Sequence, residues 1–158
     1  MHFMKILNNY IKLKHKVSLL SNSVKIIVVS KKSQFKDIKQ IIDYGHTDFG
    51  ENKVQEASLK WREFIYANPK INLHFIGKLQ SNKVRDAVKL FSFIHSLASE
   101  KLARALHLEE ELNNKKLKYF IQINFSNESQ RNGIEIKYAD EFIKYCIYDL
   151  SLNVIGLM

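Results

Sequence analysis

One lysine stands out because it follows closely on a run of β-branched residues. Ile26 to Val29 are four such residues in succession, a run typical of a strand that is buried on both faces. Side chains alternate along a strand, so Lys31 is predicted to share a face with Ile27 and Val29. Apolar surroundings lower the pKa of a lysine, and its neutral amine can then condense with an aldehyde. The alternative is a solvated lysine at a strand end, because most lysines are unperturbed.

Three further polar residues lie in predicted strands or just after them: Asn52, His74 and Asn124. Each has an ordinary explanation, since asparagines suit turns and caps and a lone strand histidine is usually structural. In parallel α/β architectures, however, the carboxyl ends of the strands form one edge, and functional sites lie there. These three residues are therefore candidates for lining a pocket near Lys31.

Several motifs that would indicate other chemistry are absent from the sequence. The five glycines are too scattered for G-x-G-x-x-G or a P-loop, and no G-x-S-x-G elbow occurs. The six histidines show no H-x-x-x-H spacing and C-x-x-C is missing, so no metal site is predicted. Cys146 is the only cysteine, which excludes an intrachain disulfide and favours a reducing, cytoplasmic environment.

The chain is basic, with a formal net charge of +9. Such an excess can indicate an anionic partner, either nucleic acid or a phosphorylated ligand, or lysines spread over solvated helix faces. No dense block of lysines occurs, so we favour the second interpretation and expect no nucleic-acid partner. No apolar run approaches the length needed to span a bilayer, so we expect no membrane partner either.

Helical and strand patterns alternate along the 158 residues. The apolar spacing predicts helices at residues 6–20, 35–44, 54–68, 81–90, 99–113 and 138–150. Strands are predicted at residues 24–31, 47–50, 73–76, 93–96, 119–124 and 152–158. This alternation is typical of βαβ units and a parallel sheet in one α/β domain, either an open doubly wound sheet or a barrel.

Three residues are predicted to mark helix ends. Gly45 suits a left-handed cap after the second helix. Ser99 suits the N-cap of the fifth, and Pro69 should stop the third at the residue before it. The 3.6-residue period also predicts inward faces for the first and last helices, which include Leu13, Leu20 and Tyr138.

Four sequence blocks are specific when taken together. They are V-V-S-K at 28–31, F-G-E-N-K-V-Q-E at 49–56, H-F-I-G-K-L-Q-S-N-K at 74–83 and I-Q-I-N at 121–124. In this order they closely resemble the pyridoxal phosphate homeostasis protein family, small single-domain proteins that bind pyridoxal 5′-phosphate (PLP). The resemblance covers nearly the whole chain.

The resemblance implies a (β/α)8 barrel of the TIM type, like the N-terminal domain of alanine racemase. It further implies that Lys31 carries PLP as a Schiff base, with Asn52, His74 and Asn124 lining the pocket. The family influences intracellular vitamin B6 and amino-acid homeostasis and has no well-established reaction. We therefore expect a PLP-binding protein that is not an enzyme.

The sequence departs from the family pattern at three places. Lys32 to Gln34 stand where the family usually has a proline soon after the lysine, and Arg131 stands where it has a second lysine. Family members also continue past Met158 with the segment that holds the PLP phosphate. We therefore expect residues 1–158 to form a single, incomplete barrel domain of about six strands. Such a domain would have an open strand edge able to pair with another chain.

Two alternatives differ in class from a PLP-binding protein. The first is a fragment of that family without ligand function, or one that is completed by a separately encoded C-terminal segment. The second is a racemase-like PLP enzyme, which would need a further acid or base facing Lys31. The sequence does not identify such a residue.

Overall fold

Helices and strands alternate along the chain, as the sequence predicts. The computed structural model describes residues 2–126 and 132–158, with side chains from residue 5 onward. Its helices are α1 (His2–Leu20), α2 (Phe35–Asp43), α3 (Val54–Ala67), α4 (Val84–Leu90), α5 (Glu100–Asn113) and α6 (Ile136–Lys144). Its strands are β1 (Val28–Val29), β2 (Asp48–Glu51), β3 (Asn72–Phe75), β4 (Phe93–Leu97), β5 (Lys118–Ile121), β6 (Ile123–Asn124), β7 (Ile134–Glu135) and β8 (Asn153–Leu157). A 3₁₀ turn, Ser81–Lys83, precedes α4, and a π-helical turn, Tyr145–Asp149, follows α6.

Six strands form one parallel sheet in the order β1-β2-β3-β4-β5-β8. A doubly wound sheet would reverse its order partway across, whereas a sheet that is wound in one direction is the basis of a barrel. This order therefore decides between the two architectures that the sequence allows, in favour of the barrel type. Within the described residues β1 and β8 are not paired with each other, so the barrel is incomplete, as expected.

The hydrophobic core lies between the sheet and its helices. Phe49 of β2 and Trp61 of α3 are fully buried, and their ring centroids are 5.0 Å apart. Phe35 of α2 packs edge-on against the same Trp61 at 6.1 Å. Leu73 of β3 and Leu106 of α5 are also fully buried in this layer. Each side chain of this kind contributes about 1.5–3 kcal/mol, so the apolar layer holds the successive βα units to the sheet.

The three predicted helix ends are confirmed. Gly45 follows α2 with a φ of 95°. The Ser99 hydroxyl accepts a hydrogen bond from the N–H of Leu102 at 3.2 Å, at the start of α5. Helix α3 ends at Ala67, two residues before Pro69, because the residue before a proline disfavours helical backbone.

The first strand differs from its prediction. Only Val28–Val29 is regular strand, and Val29 is 48% exposed, so the prediction of burial on both faces is wrong. The reason is its position, since among the described residues β1 pairs with β2 alone and forms an edge of the sheet. A run of β-branched residues reports apolar character, whereas burial depends on neighbours that are distant in sequence.

The predicted inward faces of the first and last helices are only partly correct. Leu13 and Leu20 of α1 are 50% and 88% exposed, and Tyr138 of α6 is 53% exposed. Tyr10 and Phe142 on the same helices are buried. Periodicity identifies an apolar face but not how far along a helix another element covers it.

Among the described residues, no helix combines the length and apolar character that crossing a membrane requires.

The predicted strand at 119–124 is divided in two. β5 belongs to the main sheet, whereas β6 forms a separate two-stranded parallel pair with β7, which the sequence did not predict. Gly133 has a φ of 135°, and a β-carbon there would lie 2.7 Å from the backbone nitrogen of Asn124. A glycine is therefore needed where the chain returns to β6. Arg131, the second departure from the family pattern, lies outside the described residues.

Candidate functional site

Lys31 and Asn52 lie at equivalent positions just beyond two neighbouring strands. Val29 of β1 is in register with Gly50 of β2, and the N–H of Ser30 donates to the Gly50 carbonyl at 2.9 Å. Lys31 and Asn52 each come two residues after this pair, so the sheet brings them to the same level at its carboxyl edge. In barrel folds this edge carries the functional site.

The side chain of Lys31 is exposed, and it has no hydrogen bond or ion pair with any described residue. The predicted apolar row exists, since a β-carbon on Gly50 would lie 3.2 Å from Ile27 and 3.6 Å from Val29. Lys31 nevertheless extends into solvent beyond that row. The prediction of apolar surroundings is therefore wrong and the solvated alternative is correct, which leaves the amine accessible to a ligand.

A tight turn carries Lys31. The N–H of Ser33 donates to the Ser30 carbonyl at 3.1 Å, which closes a four-residue turn over Lys31 and Lys32. Lys32 has a φ of 61°, a left-handed backbone that suits glycine or asparagine and costs other residues roughly 1–2 kcal/mol. Contacts from outside the turn must therefore hold it in this conformation.

A buried carboxylate anchors the turn. Glu51 is fully buried at the end of β2. Its Oε1 accepts hydrogen bonds from Ser30 Oγ (2.7 Å), Lys60 Nζ (2.9 Å) and Trp61 Nε1 (3.0 Å). Lys60 Nζ also donates to the Ser30 carbonyl at 2.7 Å. The first residue of the turn is thus bonded to β2 and α3 through both its side chain and its backbone.

Asn52 is held in place by a close approach of two loops. A β-carbon on Gly77 would overlap with the carbonyl oxygen of Asn52. Only glycine therefore allows the chain after β3 to pass against the chain after β2. This contact explains the glycine of the H-F-I-G block and fixes the backbone of Asn52 at the level of Lys31.

His74 lies deeper in the sheet and is bonded to other side chains. It is in register with Gly50 and so lies two residues below the level of Lys31. Its Nε2 is 3.1 Å from Asp48 Oδ1, and its Nδ1 is 2.9 Å from His95 Nε2. The residue is therefore part of a buried polar chain across β2, β3 and β4. Its part in a ligand pocket remains a prediction.

Burial governs the charge of this polar chain. It lowers the pKa of His74 despite the hydrogen bond to Asp48, and it lowers the pKa of His95 to about 4, with His74 adding to that shift. Burial also acts to raise the pKa of Asp48, but hydrogen bonds from Thr47, His74 and Asn72 outweigh it and hold that pKa below its usual value. Both imidazoles are thus neutral at pH 7 beside a charged carboxylate. Among the described residues, no group of three His, Cys, Asp or Glu side chains could hold a metal ion.

Asn124 lies further out than the other candidates. Ile121 of β5 is in register with Leu97 of β4, and Asn124 follows three residues later in the pair of β6 and β7. Its Oδ1 accepts hydrogen bonds from the N–H and the hydroxyl of Ser126, at 3.1 and 3.0 Å. This geometry is an Asx turn, the ordinary role predicted for such a residue. The described structure thus places Lys31 and Asn52 at the same level of the carboxyl edge, whereas Asn124 lies beyond that level.

The edge around Lys31 is basic. Lys32, Lys53 and Lys78 are exposed, and they follow β1, β2 and β3 respectively. The hydrogen bond from Lys53 lowers the pKa of Glu56, and the charge of Lys32 acts in the same direction. Positive charges are therefore gathered where an anionic ligand would approach Lys31.

A cleft of about 310 Å³ opens beside the ends of β3, β4 and β5. Its walls include Lys78, Ser96, Ser99 and Gln122. The Oγ of Ser96 is buried and has no hydrogen-bond partner among the described residues. Polar groups therefore converge at this second place along the edge, separated from Lys31 by β2 in the strand order.

The residues that hold the site together are not evident from the sequence. Glu51 belongs to a block that indicates the family, but its three donors lie 9, 10 and 21 residues away. Helix and strand periodicity cannot pair residues at such separations. The available signal was a carboxylate at the end of a predicted strand, directly before the candidate Asn52.

Comparison with known proteins identifies the class. Residues 4–158 match the family described as alanine racemase, N-terminal domain. The solved structure of PipY from Synechococcus elongatus PCC7942, with PLP bound, has a TM-score of 0.73 and 33% identity, and covers 92% of this chain and 69% of that chain. The fold and its carboxyl edge thus define a barrel domain of the alanine racemase N-terminal class.

Curated relatives specify the family more closely. The pyridoxal phosphate homeostasis protein of Pasteurella multocida (strain Pm70) is 39% identical over 114 residues, 72% of this chain and 49% of the relative. That of Buchnera aphidicola subsp. Baizongia pistaciae (strain Bp) is 32% identical over 160 residues, 97% of this chain and 70% of the relative. The chain belongs to the pyridoxal phosphate homeostasis protein family, which confirms the resemblance in its sequence blocks. It spans about half the length of several curated relatives that it matches.

Proposed function

We propose that this chain binds PLP as a Schiff base on Lys31 and serves intracellular vitamin B6 and amino-acid homeostasis as a binding protein rather than as an enzyme. The observation that carries the proposal is the accessible amine of Lys31 at the carboxyl edge of the sheet, which has no partner in the part of the chain that the structure describes. Support also comes from PipY, a relative whose structure has PLP bound. The relatives are named as homeostasis proteins rather than as enzymes.

The described residues suit the chemistry of PLP. Its aldehyde condenses with a primary amine, with loss of one water, to give a Schiff base. Lys31 offers such an amine, whereas Lys53 at the same edge is held by Glu56 at 2.6 Å. The basic edge also attracts the anionic phosphate group. These features support binding of the aldehyde end of PLP by Lys31. They support binding of the phosphate group only through electrostatic attraction to the basic edge.

The proposal gives the other candidate residues distinct parts. Asn52 lies at the level of Lys31 and would contact the ligand directly. His74 would form the floor of the pocket, because its ring is buried and neutral two residues beneath that level. His95, to which it is bonded, is also buried and neutral and lies nearer the level of Lys31. Asn124, in β6 after β5, would line the pocket at the end of the sheet that is far from Lys31.

The proposal also concerns location and partners. A single, buried Cys146 suits the reducing cytoplasm. PLP is the ligand, and no nucleic acid or membrane is needed. Val29 and Leu157 on the two outer strands are 48% and 56% exposed, which supports a further polypeptide segment as a partner of these strands.

Titration with PLP tests the proposal. The wild-type chain should develop a saturable absorption band in the visible, because a Schiff base of PLP absorbs there. In Lys31→Ala the apparent affinity should fall by at least about tenfold, equivalent to roughly 1.4 kcal/mol. Lys32→Ala is the matched control, since Lys32 is the adjacent exposed amine. It removes one positive charge from the basic edge and should lower the affinity for PLP much less than Lys31→Ala does. Equal titrations of the two variants would contradict the assignment of Lys31.

A further inference from the structure

Glu51 is unusual because a glutamate side chain is rarely buried completely. Its side chain is fully buried, and all three of its hydrogen bonds go to Oε1. Oε2 is buried and has no hydrogen-bond partner among the described residues. Burying a charged group is unfavourable unless its polar atoms are well satisfied. A half-satisfied carboxylate is therefore a poor choice for stability alone.

The contacts of Glu51 all lead to the turn that carries Lys31. Ser30, the residue before this lysine, donates its hydroxyl to Glu51 at 2.7 Å. Lys60 bridges Glu51 and the Ser30 carbonyl, with bonds of 2.9 and 2.7 Å. That carbonyl is also the acceptor that closes the turn. On its other side Lys31 is followed by Lys32, which has the left-handed φ of 61°.

We propose that Glu51 is a positioning residue for Lys31 and that it acts through Ser30 and Lys60. It does not touch the ligand. Instead it fixes the first residue of a strained turn, so that the following amine is presented at the carboxyl edge beside Asn52. This inference rests on the proposed function, because it assumes that Lys31 is the reactive amine. It adds that the selectivity for Lys31 over Lys32 is set by a buried carboxylate on the next strand.

The test measures where PLP reacts rather than how much binds. Protein is incubated with PLP, reduced with borohydride and digested, and the labels on Lys31 and Lys32 are quantified by mass spectrometry. In Glu51→Gln the ratio of the label on Lys31 to that on Lys32 should fall by about tenfold, equivalent to roughly 1.4 kcal/mol, because hydrogen bonds to a charged acceptor are replaced by weaker ones. The amide keeps the side-chain volume but loses the charge that holds Lys60.

Two controls separate positioning from general loss of structure. Glu110→Gln removes another buried carboxylate, near the C-terminal end of α5. This carboxylate accepts a hydrogen bond from Tyr119 Oη at 2.9 Å. The substitution should lower stability and leave the label ratio unchanged. If Glu51→Gln does not fold, Ser30→Ala tests the same link, and Ser30→Thr, which restores a hydroxyl, should recover the ratio.

The outcomes distinguish the inference from the function it rests on. A wild-type chain that labels Lys31 and Lys32 equally would overturn the proposed function and this inference with it. A wild-type preference that persists in folded Glu51→Gln, or in Ser30→Ala where that variant replaces it, would overturn the inference alone. A preference lost in the tested variant but kept in Glu110→Gln supports both.

Discussion

Glu51 and His74 show how differently two buried polar residues of neighbouring strands are used. Glu51 is bonded to Ser30 at the carboxyl edge, and His74 is bonded to Asp48, which lies at the amino end of β2. The first connects the sheet to the candidate site. The second connects strands to each other beneath it. For single residues, the position of the hydrogen-bond partner is therefore informative. A partner at the carboxyl edge indicates support of the candidate site, and a partner deeper in the sheet indicates support of the fold.

The histidine chain makes stability depend on pH. In the folded state the pKa of His95 is about 4 and that of His74 is lowered as well, whereas a histidine in an unfolded chain has a pKa near 6.5. Between those values the unfolded state binds more protons than the folded state. The free energy of unfolding should therefore fall as the pH falls below about 6.5, by up to roughly 1.4 kcal/mol per pH unit for each histidine.

Substitution of one histidine tests this account. His95→Gln removes one of three histidines whose pKa is lowered by burial, the others being His46 and His74, so the slope between pH 6.5 and pH 5 should be shallower than the wild-type slope. Urea unfolding at a series of pH values measures it. His15→Gln on the exposed side of α1 is the control and should leave the slope unchanged. A wild-type slope retained in His95→Gln would show that the buried histidines do not cause it.

At the scale of elements, the predictions from sequence succeeded where the cause was local. Ser99 caps α5 through its own hydroxyl, and Pro69 ends α3 through its own ring. The predictions failed where the cause was distant. The four β-branched residues before Ser30 could not reveal that β1 is an edge strand. Likewise, Glu51 could not be paired with Lys60 and Trp61, because the fold alone brings their atoms together.

The outer strand β8 leads to a prediction about association. Ile155 in this strand is 45% exposed, and β8 pairs with β5 on one side only within the described residues. An exposed apolar edge is a template for pairing with another chain. We expect the wild-type chain to self-associate as its concentration rises. Ile155→Lys should weaken this association roughly fivefold, because like charges opposite each other in paired strands cost up to about 1 kcal/mol.

Sedimentation velocity over a range of concentrations measures this association. Leu112→Lys is the matched control, because Leu112 is 70% exposed on α5, away from either sheet edge. It should associate as the wild type does. A wild-type chain that stays monomeric at every concentration would refute the edge argument, as would equal association of Ile155→Lys and wild type.

In the molecule as a whole, the strand order and the position of the candidate site both fit a barrel domain that binds its ligand at the carboxyl edge. The six strands follow one another as in a barrel, and the basic edge lies at their carboxyl ends. Lys31 is an exposed amine that follows β1, on a turn anchored to β2 and α3. We propose that this lysine, among the many lysines of a basic chain, is the one that holds PLP.

The most direct test of that claim is to locate the reduced PLP label by peptide mapping of the wild-type chain and of Lys31→Ala. We expect one dominant labelled peptide, containing Lys31, and loss of that label in the variant without compensation elsewhere. A label distributed over many surface lysines, or unchanged in amount in Lys31→Ala, would contradict it.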